Sequence, residues 1–284
     1  MIRPVQANDV LLQDIQNVPA SSPHLHYWWL GQSGFLIHWK GRFLLLDPYL
    51  SDSLTLKYAN TDKPHVRMTE RVIPPERLSF VNWITSSHNH TDHLDRETIL
   101  GIRSASPAVK LILPEANRGF ATERLGTPLN WPIGLTAGSS YRDQEFEFHG
   151  IPSAHNTLET DEQGRHRFMG FVVQVGPWRL YHSGDTLHYP GMEQWLIPWK
   201  IDLAFLPING DRPERKVAGN LDGREAAQLA KDIGARYVIP CHYELFEFNT
   251  ASPDLFISTC EAIGQNYLVL RAGEQGVLQV ESSP

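Results

Sequence analysis

Cysteine is scarce in this sequence: its 284 residues include only Cys241 and Cys260. Two cysteines cannot build the dense disulfide framework of a small secreted domain. The first residues also lack the basic start and apolar stretch that a signal peptide requires. We therefore predict a protein of the reducing cytoplasm.

Long apolar runs and an excess of basic residues are missing as well. No stretch approaches the roughly 18 uninterrupted apolar residues of a membrane span, so none is expected. The net charge is −7, which argues against nucleic acid as a partner because its phosphates attract basic surfaces. A small molecule remains as the expected partner. The oligomeric state stays open, with a homo-oligomer among the alternatives.

Apolar residues are plentiful enough for a large core, at 41% of the chain. We expect one domain over residues 1–284, with residues 1–23 as an N-terminal arm docked on it. Apolar runs predict strands at 25–30, 34–39, 42–47, 80–85, 109–113, 144–148, 150–154, 170–175, 178–182, 203–206 and 236–240, and a terminal hairpin of 267–270 with 276–280. Helices are expected at 96–103, 115–125, 222–233 and 254–262. The pattern favours an α/β (α+β) fold in which two sheets face each other with helices outside.

Histidine is abundant, with 13 residues, and the densest group lies at 87–95. Three histidines and two carboxylates follow the apolar run 80–85 there: His88, His90, Asp92, His93 and Asp95. An extended segment points His88 and His90 to the same side because they are two residues apart. Asp95 is placed to cap the helix that begins at Arg96. Imidazoles and a carboxylate in one small volume predict a site for a divalent cation such as zinc.

Three further residues of the metal-ligand types follow apolar strands, namely His155, Asp185 and His242. Any one of them alone is better explained as a loop cap, but the repeated placement favours ligands. Asp47 also ends a strand, where it either caps a loop or accepts the free N–H of a ligand histidine and so orients it. The long connection at 48–74 is either a flap over the site or a solvated loop.

The order of these motifs resembles the metallo-β-lactamase superfamily, whose His-x-His-x-Asp-His signature is matched by His88, His90, Asp92 and His93. Within it, the segments 28–31, 181–185 and 238–242 are similar to the L-ascorbate-6-phosphate lactonase group. The segment 87–95 is also similar to the N-acylphosphatidylethanolamine-hydrolysing phospholipase D group. The resemblance implies a four-layer αββα sandwich.

The resemblance also implies the ligand assignment. His88, His90 and His155 would hold one ion, and Asp92, His93 and His242 a second, with Asp185 bridging. Zinc, manganese and iron all suit these ligands. Asp92 and Asp185 would serve in catalysis, Asp92 by orienting the nucleophile or relaying its proton. His90 stands where the oxygen- and nitric-oxide-reducing diiron branch typically has a glutamate, which favours hydrolysis.

Two divalent ions outweigh two aspartates, so the centre would be positive and attract an anionic substrate. We expect a lactonase-like enzyme that acts on a small lactone derived from a carbohydrate. A phosphorylated lactone is one of the expected substrates. The alternatives are a phosphodiesterase, including a phospholipase D-like one with an apolar surface at 195–199, and a non-catalytic metal-binding protein. Substrate contacts are expected from Asn209, Arg212, His188 and Tyr189, with Arg215 and Lys216 as further anion-binding candidates. His182 is expected to brace the loop of Asp185.

Overall fold

A computed structural model describes residues 1–280 of the chain. Its α-helices are α1 (Asn8–Asn17), α2 (Ser53–Tyr58), α3 (Arg96–Ala105), α4 (Arg118–Leu125), α5 (Met192–Leu196), α6 (Gly223–Asp232) and α7 (Asp254–Ile263). Its strands are β1 (Leu25–Gly31), β2 (Gly34–Trp39), β3 (Arg42–Leu46), β4 (Trp83–Thr85), β5 (Lys110–Pro114), β6 (Pro132–Leu135), β7 (Ser140–Asp143), β8 (Phe146–Pro152), β9 (Met169–Val175), β10 (Trp178–His182), β11 (Leu203–Pro207), β12 (Tyr237–Cys241) and β13 (Gln275–Leu278). Short 3-10 turns lie at Pro75–Arg77, Glu115–Asn117, Ile197–Trp199 and Pro213–Arg215.

The strands form two mixed sheets. The first has seven strands in the order β13-β1-β2-β3-β4-β5-β6, and the second has six in the order β12-β11-β10-β9-β8-β7. In the first sheet, β13 and β1 to β3 pair antiparallel, whereas β3 to β6 run parallel. In the second, β10, β11 and β12 are parallel and β7 to β10 antiparallel.

Side chains of the first sheet alternate between two apolar layers, as the period of two in a strand requires. In β1, Tyr27 and Trp29 enter the core shared with the second sheet, where Phe205 and Phe171 meet them. The neighbouring Trp28 points to the opposite face and packs there with residues of α1, α3 and α4. Both faces of β1 are therefore buried, which explains its nearly continuous apolar sequence.

Helices complete the sandwich on both sides. The second sheet is covered by α6, which contacts β11, β12 and α7. Asp222 caps α6 as the sequence predicts, and Glu225 completes the capping box by accepting the N–H of Asp222. With α1, α3 and α4 on the first sheet, the prediction of a four-layer αββα sandwich is confirmed.

The N-terminal segment 1–23 is more ordered than an arm with a turn or two of helix. Within α1, Leu11 and Ile15 are buried against the first sheet. Asp14 accepts the indole N–H of Trp28 at 2.7 Å, which fixes the helix on β1. Among residues 1–280, no helix combines the length and apolar character that crossing a membrane requires.

The structure corrects three predicted elements. The strand expected at 80–85 is confined to β4, because the chain still turns at Val81, whose N–H reaches the carbonyl of Leu78. The strands expected at 144–148 and 150–154 are one strand, β8, since Gly150 continues it. A Cβ on Gly150 would lie 2.2 Å from the terminal methyl of Met169, so close packing rather than a break explains this glycine.

The prediction of a terminal hairpin between 267–270 and 276–280 is also wrong. Tyr267 instead forms a parallel bridge to Val238 of β12 in the second sheet. β13 pairs with β1 at the edge of the first sheet. The two apolar segments therefore extend different sheets. Tertiary contacts, and not the local sequence, determine which strand each segment pairs with.

Phe205 tests the shared core. Its ring lies 4.3 Å from that of Phe35 across the two sheets, so Phe205→Ala should leave a cavity and lower the free energy of unfolding by about 3–5 kcal/mol. The exposed Leu129 is the matched control, and Leu129→Ala should change the free energy of unfolding by less than about 0.5 kcal/mol. Urea unfolding followed by circular dichroism measures both. Equal effects of the two substitutions would contradict this account of the core.

Candidate metal centre

Polar side chains from both sheets meet where strands end. Asp47 follows β3, His88 follows β4, Asp185 follows β10 and His242 follows β12. Because β3 and β4 are parallel, and β10 to β12 are too, their carboxyl ends lie at one edge of the sandwich. The ligand-type atoms converge there in three groups, each with its atoms within 4.8 Å of one another: His88, His90 and His155; His88, His93 and Asp185; Asp92, His93 and His242.

The first group, His88, His90 and His155, consists of three imidazoles, two of which are oriented by hydrogen bonds. Nδ1 of His155 donates to the carbonyl of Gly219 at 2.8 Å, which leaves its Nε2 facing the centre. Nδ1 of His88 lies 2.9 Å from the hydroxyl of Ser87. A ring nitrogen of His90 lies within 4.8 Å of those of the other two, so the three imidazoles present their nitrogens to one small volume.

The second group contains His93, which Asp47 orients. Its Nδ1 donates to Oδ2 of Asp47 at 2.8 Å, and both side chains are fully buried. Asp47 itself has a left-handed φ of +37° and accepts the N–H of Ser87 and the hydroxyl of Thr85. A non-glycine residue in that conformation is strained, so several contacts must hold it.

Asp185 lies between the group of His88, His90 and His155 and the group of Asp92, His93 and His242. Its oxygens are 3.3 Å from Nε2 of His93, 3.4 Å from Nε2 of His242 and 3.5 Å from Nε2 of His155. The chain reaches this position because Gly184 packs closely on Ser87, where a Cβ would come within 2.3 Å of the serine Cβ. Nε2 of His182 donates to the carbonyl of Ser33, and its Nδ1 accepts the N–H of Gly184. His182 therefore ties the Asp185 loop to the β1–β2 turn.

Burial and charge divide the histidines into two classes. Burial lowers the pKa of His88 well below its usual range and that of His90 to about 4, and it also lowers the pKa of His155. Burial opposes a charge on His93 and His242 too. There Asp185 and Asp92 outweigh it, so the pKa of His93 lies well above its usual range and that of His242 rises to about 9.

The two carboxylates complete this arrangement. Burial alone would raise the pKa of Asp92 and Asp185, but His93 and His242 hold both below the usual range. Two ionised carboxylates in a buried site require positive charge beside them. The electrostatics thus favour a cation at this position.

The donor set also fits a divalent ion. Nε2 of His88, Nε2 of His93 and Oδ1 of Asp185 are buried and have no hydrogen-bond partner within residues 1–280. Buried polar atoms normally have partners, and orphaned nitrogen and oxygen atoms that face one another are what a metal ion would bind. Five imidazoles and two carboxylates match the ligand preferences of zinc, manganese and iron.

A cleft of about 290 Å³ opens onto these ligands. Its wall includes a cationic and aromatic group from the 48–74 connection: Lys57, Tyr58, Lys63 and His65. The ring of His65 stacks on that of Tyr58 at 4.5 Å and meets Phe248 edge-on at 4.5 Å. The sequence left this connection as either a flap over the site or a solvated loop, and the structure shows which of its residues line the cleft.

The residues proposed for substrate contact lie elsewhere. Asn209 and Arg212 line a separate cavity of about 540 Å³. His188 bonds Glu193 at 2.5 Å, and the hydroxyl of Tyr189 donates to the carbonyl of Pro152 at 2.7 Å. None of the four lines the cleft. The guanidinium of Arg215 is likewise bound to the carbonyls of Asn209 and Thr250.

Two residues near the ligands gave no signal in the sequence. Gln32 sits in the β1–β2 turn and contacts Asp92 and His242. Arg124 of α4 donates to the carbonyls of Asn89 and Leu94 and so braces the His-rich turn. Both come from segments remote in sequence, so no local pattern marks them.

Known proteins share this fold and sequence pattern. A metal-dependent hydrolase of Caldivirga maquilingensis, named UPF0173, is 27% identical over 244 residues, which are 85% of this chain and 92% of the relative. The solved structure of Igni18, a metallo hydrolase of Ignicoccus hospitalis, has a TM-score of 0.67 and 19% identity over 91% of this chain and 100% of its own. The isothiocyanate hydrolase from Delia radicum gut bacteria has a TM-score of 0.69 and 17% identity, covering 88% of this chain and 98% of its own.

The family model described as the beta-lactamase superfamily domain matches residues 27–242, well over half of the chain. The matched range begins in β1 and ends at His242, so it contains all seven candidate ligands. The chain belongs to the beta-lactamase superfamily, and its two facing sheets are the metallo-β-lactamase fold.

Proposed function

We propose that this protein is a metal-dependent hydrolase with a dinuclear centre. One observation carries the proposal: ligand-type atoms of five histidines and two aspartates converge in three overlapping groups, and Nε2 of His88, Nε2 of His93 and Oδ1 of Asp185 have no hydrogen-bond partner within residues 1–280. His88, His90 and His155 would hold one ion, and Asp92, His93 and His242 the other. The Caldivirga relative is named a metal-dependent hydrolase, which supports the same class.

The chemistry follows from the ligands. Ions bound there would act as Lewis acids and lower the pKa of a coordinated water from about 15.7 to about 7. Asp92 is the more exposed of the two carboxylates and, ionised, can accept the proton of the attacking water and return it to the leaving group. Asp185 stays buried and fixes the two groups relative to each other. Asp47 keeps His93 in a single tautomer.

The cleft wall favours a small anionic substrate. Lys57, Lys63 and Arg124 bring positive charge to it. Arg124 is held by backbone carbonyls and Lys63 donates to the carbonyl of Lys216. Lys57 lies over the ring of Tyr58 and has no carboxylate partner among residues 1–280. It is therefore the cation best placed to meet a carboxylate or phosphate on the substrate.

Within this class we propose a lactonase-like reaction on a small carbohydrate-derived lactone that carries an acidic group. A volume of about 290 Å³ is at the lower end for ligand sites and suits a substrate of this size. A phosphodiesterase is the second candidate, because the same wall would accept a phosphate. A lipid substrate is disfavoured, since the segment 195–199 exposes Trp195 and Ile197 but does not line the cleft.

Substitution of the ligands tests the centre. His90→Ala and Asp185→Ala should each lower bound metal and reduce hydrolysis by at least about 100-fold, because a ligand is lost. Elemental analysis and a screen of lactones, phosphodiesters and an isothiocyanate give the two readouts. His188→Ala, outside the cleft, should leave both unchanged. Full metal content and activity in either ligand variant would refute the assignment.

Substitution of Lys57 tests the substrate class. Lys57→Ala should raise KM for an anionic substrate about tenfold, equivalent to about 1.4 kcal/mol, and leave KM for a neutral analogue unchanged. The difference should shrink at high salt because the contact is screened. Arg212→Ala, on the separate cavity, is the matched control and should affect neither substrate. An equal rise in KM for the anionic substrate and its neutral analogue would show that Lys57 does not bind the anionic group.

A further inference from the structure

Gln32 holds an unusual position beside the ligand group of Asp92, His93 and His242. Its side chain is buried, and its Nε2 lies 2.9 Å from Oδ2 of Asp92 and 2.9 Å from Nε2 of His242. Both contacts are with atoms assigned to one ion. The amide Nε2 donates to the carboxylate of Asp92 and lies beside the imidazole of His242.

The other end of the same amide has no partner. Oε1 of Gln32 is buried and accepts no hydrogen bond within residues 1–280. An orphaned buried carbonyl oxygen costs free energy unless something else binds it. A half-turn of the Gln32 amide about its last side-chain bond exchanges Oε1 and Nε2. Oε1 then lies beside Oδ2 of Asp92 and Nε2 of His242.

The backbone holds Gln32 in place for that exchange. Its φ is +50°, in the left-handed region, where a residue stays only if its surroundings hold it. Its carbonyl accepts the N–H of His242 at 2.9 Å and the indole N–H of Trp29 at 3.0 Å. The turn is thus fastened directly to one of the ligands.

The spacing matches that of neighbouring ligands. Two atoms bound at right angles to one ion at about 2.1 Å lie about 3.0 Å apart, and the amide end is 2.9 Å from both Asp92 and His242. We infer that Gln32 turns its Oε1 toward the ion held by Asp92, His93 and His242 and serves as an oxygen ligand of that ion. This inference rests on the proposed dinuclear centre and adds a ligand to it.

Metal titration of the full chain tests the inference. Protein freed of metal with chelator is titrated with Co²⁺, by calorimetry and by visible absorption. The unmodified protein should bind two ions. Gln32→Met keeps the length of the side chain but removes the oxygen, so it should bind the first ion normally and the second at least about tenfold more weakly. Its cobalt absorption should also intensify, because a lower coordination number strengthens these bands.

Two further variants separate ligation from packing. Gln32→Glu retains an oxygen and adds charge, so it should bind the second ion at least as tightly as the unmodified protein. Gln265 is a buried glutamine remote from the centre that donates to the carbonyl of Ala235. Gln265→Met should lower the thermal unfolding temperature without altering either ion. The unfolding temperature of each metal-free variant shows that it is folded.

The outcomes are distinct. A second ion that binds Gln32→Met with unchanged affinity and spectrum overturns the ligand role of Gln32 and leaves the dinuclear centre standing. Equal weakening in Gln32→Glu and Gln32→Met overturns it too, since the amide N–H would then be the functional end. Failure of the unmodified protein to bind any ion would instead refute the proposed function.

Discussion

Two ionised carboxylates, the partly buried Asp92 and the buried Asp185, lie among five imidazoles, and much of the local structure serves this arrangement. Burial of like charges is costly unless opposite charge compensates them. Asp185 and Asp92 raise the pKa of His93 and His242, because positive charge beside these carboxylates is favourable. A divalent ion bound by the same side chains would supply such charge at the same place.

The sandwich produces this convergence through its strand directions. Parallel strands in each sheet end at one edge, and the residue after each strand is free of the sheet ladder and can turn inward. The apolar contacts between Tyr27, Phe35 and Phe205 fix the two sheets against each other, and so fix the distance between ligands that come from different sheets. The strained conformations of Asp47 and His242 lie at this edge, where several hydrogen bonds hold them.

Sequence reasoning predicted the features that a short stretch of the chain determines. An apolar run followed by histidine or aspartate identified all seven candidate ligands, because strand and ligand are adjacent in the chain. Contacts that depend on the conformation of a loop could not be predicted in this way. Asn209 follows a strand like the others, yet it bonds Asn220 and Asn249 and faces another cavity. Gln32 and Lys57 reach the centre only through tertiary packing, and no local pattern distinguishes them from ordinary turn and surface residues.

The central claim is a dinuclear centre, and metal stoichiometry tests it most directly. The unmodified protein, purified without chelator, is analysed for zinc, manganese and iron by elemental mass spectrometry, before and after reconstitution with each metal. The proposed assignment of His88, His90 and His155 to one ion and of Asp92, His93 and His242 to another predicts about two ions per chain. A folded protein that binds no ion after reconstitution would contradict the claim, and so would one that saturates at a single ion.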